Sequence, residues 1–201
     1  MNVERPNKES SQRHLNLLET GKKTLRLIQE YPSFRRYVEP VILNIANDNA
    51  GVSEIIKEHF ELKYHFGPQY TEMGYCVKAF ADIVRPESDN TDIGICASEF
   101  YLALDILDST IDQRSITPIE RTNTLESARK IYKGERIWTV NVDLQTMEAI
   151  SQDMRKRVGD FSKTPDGVDT FTGRCLDLVD ALYKETQLPR HRLVMVAQKV
   201  S

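Results

Sequence analysis

The sequence predicts an all-helical fold, a multi-helix bundle, on three observations. Apolar residues recur at spacings of three and four in nearly every segment. Turn-forming clusters such as Asn47-Asp48-Asn49 with Gly51, Gly67-Pro68 and Thr164-Pro165-Asp166-Gly167 separate those segments. No stretch alternates apolar and polar residues over a useful strand length. The one β-like fragment, Thr139-Val140-Asn141-Val142, sits inside a helical period.

The elements follow in order. Residues 1–10 read as a flexible polar arm, and 11–201 as a single helical domain. Leu15, Leu18, Leu25 and Ile28 share one face of a first helix, which Tyr31-Pro32 should end, because a residue before proline is pushed out of the α region. Ser33 can cap the next helix, with Phe34, Tyr37, Val38, Val41, Ile42 and Ile45 as its stripe. Ser53 can cap a short helix carrying Ile56 and Phe60, and Tyr70, Met73, Val77 and Phe80 continue the period after Gly67-Pro68. Beyond the polar loop 85–90, a helix runs from about Thr91 to Asp112. Thr117-Pro118-Ile119-Glu120 has the chemistry of a helix start: threonine as N-cap, proline at the first position and glutamate at the third. Val140, Leu144, Met147, Ile150 and Met154 line a helix within 137–158. Another spans about Thr170 to Thr186, and a last one follows Leu188-Pro189.

The bulk chemistry excludes several classes. A chain of 201 residues, 40% hydrophobic and 28% charged, can bury one sizeable core. Its 27 basic and 30 acidic residues give a net charge of -3, so nothing electrostatic calls for nucleic acid. Cys76, Cys96 and Cys175 are odd in number and lack metal spacing, which suits reduced thiols and a cytoplasmic location. The polar start MNVERPNKES is not a secretory signal, and no run of about 18 apolar residues could span a membrane.

The most informative segment is the helix ending at Asp112. Asp105, Asp108 and Asp112 stand at i, i+3 and i+7, within an arc of roughly 60°. Ser98 and Tyr101 extend that face, and Leu102, Ile106 and Leu107 surround the opposite one. A row of carboxylates repels itself. It belongs either on a solvated surface or beside hard cations, since Mg²⁺ takes carboxylate oxygens together with phosphate oxygens. His14, His59, His65 and His191 show no mutual metal spacing. Trp138 reads as core or a half-buried anchor, and Gly173 as a close helix contact.

Around this helix the chain resembles the trans-isoprenyl diphosphate synthase (polyprenyl synthetase) family. That family's first aspartate-rich motif, D-D-x-x-D followed by R-R-G-x-P-T, is similar to Leu104-Asp105-Ile106-Leu107-Asp108 followed by Gln113-Arg114-Ser115-Ile116-Thr117. Gly134-Glu135 resembles the family's later G-D, and Gly173-Arg174-Cys175-Leu176-Asp177-Leu178 its G-Q-x-x-D-L. Lys199 stands where it has a K-T pair. The resemblance implies a class I isoprenoid synthase fold, here C-terminally truncated. It also implies an Mg²⁺-dependent prenyltransferase of allylic prenyl diphosphates, with a homodimer or a partner subunit. It would make Asp105, Asp108 and Asp112 metal residues, Arg114 and Lys199 diphosphate contacts, and Phe100 and Tyr101 the plug that limits chain length.

The departures bear on activity. Leu104, Gln113, Ser115 and Val200 replace family residues, and the isopentenyl-binding G-K-R-x-R-P segment has only a faint echo in Gly74 and Lys78. The second aspartate-rich motif is absent from the 201 residues. Two readings follow: a weakened or partner-dependent synthase, or a non-catalytic helical regulatory or interaction subunit on a degenerate synthase fold.

Overall fold

The computed structural model describes residues 29–45, 49–66, 70–113, 115–162, 164 and 166–186, with 61–66 as backbone alone. Over these residues the chain is a bundle of seven helices with no strand. They are α1 (29–43), α2 (Ala50–Phe66), α3 (Tyr70–Val84), α4 (Thr91–Ile111), α5 (Pro118–Lys133), α6 (Val142–Phe161) and α7 (Gly167–Thr186). No helix among them is long and apolar enough to cross a membrane. The predicted arm at 1–10, the stripe Leu15 to Ile28, the Gly67-Pro68 break and the helix after Leu188-Pro189 lie outside the described residues.

Helix α4 is the axis of the bundle. It packs on α2, α3, α5 and α6, while α7 closes over α5 and α6. Leu102, Ile106 and Leu107 of α4 are fully buried against Met147, Ile150 and Met154 of α6 and Leu125 of α5, as the apolar period predicts. Small residues bring α3 onto α4. A Cβ at Gly74 would overlap the Ser98 hydroxyl and the Gly94 carbonyl, so only glycine permits this approach. The predicted start of α5 is present in full: Thr117 accepts from the Glu120 amide at 3.2 Å, and Glu120 returns a carboxylate to the Thr117 amide at 2.8 Å. Gly134 ends the same helix at φ 79°, a left-handed cap that disfavours any side chain.

Several local expectations are corrected. Helix α1 runs unbroken across Tyr31-Pro32, so Ser33 is no cap; burial of Phe34, Val38 and Ile42 on one face outweighs the local preference of a pre-proline residue. Asn49, not Ser53, caps α2: its side chain accepts from the Val52 amide at 3.3 Å. Helix α6 begins at Val142, after Asn141 accepts from the Leu144 amide at 3.1 Å. Val140 therefore falls outside the helical period and is 96% exposed. Trp138, expected in or near the core, is also 96% exposed, on the non-helical connection before α6. A Cβ at Gly173 would meet nothing within 4 Å, so this glycine makes no close helix contact. Helix α7 starts at Gly167, three residues before its predicted start.

Candidate functional site

Helix α4 carries every described candidate residue. Asp105 is half-buried, Asp108 is exposed, and Asp112 is exposed as the C-cap of the helix, its amide bonded to the Asp108 carbonyl at 2.9 Å. The aspartates share a face as predicted, but they do not form a metal cage. Among the described residues no group of three His, Cys, Asp or Glu is placed to hold an ion. Asp105 faces α2 and α3. Its Oδ2 accepts from the Tyr70 hydroxyl at 2.6 Å and lies 3.0 Å from His59 Nδ1. Burial and the neighbouring carboxylate push the Tyr70 phenol well above its usual range. Arg114 and Lys199 lie outside the described residues. The neighbours of Arg114, Gln113 and Ser115, line a polar cleft of about 380 Å³ with Thr110, Asn123 and Asn141.

Phe100 and Tyr101 behave differently from the acids. Their rings meet edge-on with centroids 5.9 Å apart, and both line an open apolar cleft of about 710 Å³. The cleft runs beside the N-terminal half of α4, between α3 and the turn from α6 into α7. Val77, Ile93, Phe161 and Phe171 complete its apolar wall. Cys96 and Cys175 also border it, with thiols that burial pushes up, Cys175 to about 12, so neither is a ready nucleophile.

Sequence reading missed a buried charge cluster at the back of the same helix. Glu99 is fully buried, and Arg157 of α6 donates to it through Nε at 3.2 Å. Arg157 also donates to Asp153 at 2.7 Å and to Asp92 at 2.9 Å, tying α6 to the first turn of α4. Burial, and then the Asp153 carboxylate, push the Glu99 acid up to about 9. A signal existed: Glu99 sits three residues after Cys96 and three before Leu102, in the middle of the apolar stripe. The His59–Tyr70–Asp105 cluster had no such signal, because its members come from three helices.

No family model matches this chain, and neither a curated protein nor a solved structure does.

Proposed function

We propose that this chain is an isoprenyl diphosphate synthase-like protein that binds a prenyl-chain amphiphile beside α4 and depends on a partner chain for any transfer reaction. One observation carries the reading. Phe100 and Tyr101 stand in the wall of an apolar cleft whose size falls within the roughly 300–1,000 Å³ usual for small-molecule sites, and Asp105 and Asp108 follow on the same helix within two turns. A chain-like ligand gains most from such a wall, since burying each methylene contributes about 0.8 kcal/mol.

The donor set bears on magnesium. Asp105 and Asp108 offer two carboxylates, which suits an ion that keeps waters and is shared with a substrate phosphate rather than enclosed by protein. When bound there, Mg²⁺ would neutralise charge on a leaving diphosphate. Tyr70 and His59 fix the orientation of the Asp105 carboxylate, and Phe100 and Tyr101 would shield a bound prenyl chain from water. An interaction subunit is the second reading, and exposed Trp138 favours it, since tryptophan is enriched at binding hot spots.

Calorimetric titration with geranyl, farnesyl and geranylgeranyl diphosphates tests the proposal. Saturable binding is expected, together with its loss in Ala97→Trp, which fills the cleft wall. Absence of saturable binding by all three ligands would sink it.

A further inference from the structure

The wall of the 710 Å³ cleft has a charge pattern independent of the acidic row. Among the described residues two charged side chains line it, Arg85 and Arg174, and no carboxylate does. Arg85 follows the end of α3 and is half-buried beside Val77 and Ile93. Arg174 lies on α7 and is mostly exposed. Its contact with Asp177, at 3.5 Å between two solvated side chains, holds it weakly. Ser162, Thr164 and Thr170 add hydroxyls at the turn from α6 into α7.

A guanidinium against an apolar wall loses part of its hydration when a ligand covers it. A neutral chain gives nothing in return, and a cationic head is repelled. A carboxylate or phosphate restores the lost interactions through two parallel charge-assisted hydrogen bonds.

We propose that the cleft takes a single-chain amphiphile with an anionic head, the head meeting Arg85 and the chain lying on Phe100, Phe161 and Phe171, without a metal ion. Arg174 adds attraction from the rim. This rests on the reading that the cleft holds an apolar chain, but it moves the head from Asp105 and Asp108 to the arginine.

The test titrates the full chain by calorimetry, in EDTA and in Mg²⁺, with dodecanoate, dodecyl phosphate, dodecanol and dodecyltrimethylammonium, all below their micellar concentrations. The anionic ligands should bind roughly tenfold or more tightly than dodecanol, and the cationic one least. The two anionic arms separate a carboxylate head from a phosphate head. Arg85→Gln should remove that advantage and Arg85→Lys should keep part of it, in EDTA as in Mg²⁺. Circular dichroism of each variant separates lost binding from lost fold. Equal binding of dodecanol and dodecanoate would overturn the head assignment. Binding that appears only in Mg²⁺ would overturn it too, while leaving the prenyl diphosphate reading standing. If no chain of any charge binds, both readings fall.

Discussion

The Tyr70 hydroxyl of α3 donates to Asp105 Oδ2 of α4 at 2.6 Å, and His59 of α2 reaches the same oxygen at 3.0 Å. Three helices thus meet on one carboxylate. Tyr70 is buried, with its ring 5.3 Å from that of Phe60, so its hydroxyl has no ready substitute for Asp105. Tyr70→Phe keeps the ring packing and is expected to cost about 1–2 kcal/mol. Asp105→Ala leaves the phenol without its acceptor and should cost more, about 2–3 kcal/mol, because an unsatisfied buried donor carries its whole desolvation penalty. Urea unfolding of both variants checks the order. A neutral Asp105→Ala would mean that the carboxylate is not a structural tie.

The buried Glu99 predicts a pH dependence of stability. Its folded pKa, about 9, lies above the ordinary carboxyl value of 4.5. Between these two values the folded chain holds a proton that the unfolded chain releases. The contribution of Glu99 is therefore fully present below the unfolded pKa and is lost as pH rises through the folded one. Glu99→Gln carries an N–H in place of that proton and no longer titrates. Its melting temperature should fall less steeply from about pH 5 to about pH 9 than that of the parent, and should exceed it at the alkaline end. Parallel curves would show that Arg157 keeps Glu99 charged throughout.

The parts of this fold that were legible in the sequence are those set by neighbours along the chain. The capping box at Thr117 and Glu120, the α4 boundaries and the buried stripe of α6 from Leu144 to Met154 need only local chemistry and a period. The failures share a cause. Pro32 lies within a helix because Phe34, Val38 and Ile42 bury against the rest of the bundle, which the dipeptide rule does not see. Val140 fits a helical spacing on paper, but Asn141 caps α6 after it, which leaves both Val140 and Trp138 on the connection outside the helix. At the candidate site, the shared face of Asp105, Asp108 and Asp112 was legible because one helix carries all three. The partners of Asp105 were not, since they lie 46 and 35 residues away in sequence.

Gly134 and Gly173 should respond oppositely to alanine. Gly134 sits at φ 79°, and an added Cβ would come within 2.9 Å of the Arg155 guanidinium. Gly134→Ala is expected to destabilise by at least about 1 kcal/mol, through the left-handed backbone and through crowding of the arginine that donates to the Tyr132 carbonyl. Gly173 lies inside α7 with open space around it, so Gly173→Ala should stabilise by about 0.5–1 kcal/mol. Thermal melts of both variants decide the matter. A loss of stability in Gly173→Ala would mean that this glycine is needed for more than helix geometry.

Chain elongation by the isolated protein is expected to be absent. Ionising an allylic diphosphate needs charge neutralised on several oxygens at once, and removing one well-placed contact typically costs roughly 10²–10³ in rate. On the proposed likeness to the synthases, Leu104 would replace an aspartate and Gln113 an arginine. Among the described residues no third acid joins Asp105 and Asp108 around a common point, and the Oδ2 of Asp105 already serves Tyr70 and His59. These deficits act on one transition state, so they compound even where they are not additive. The assay incubates the purified chain with Mg²⁺, isopentenyl diphosphate and a series of allylic diphosphates, and reads products by mass spectrometry. Longer prenyl products from the chain alone would refute the argument. Products that form only when a second protein is added would support the partner-dependent reading. Silence with every partner, combined with ligand binding in the cleft, would mark the protein as a binder without that chemistry.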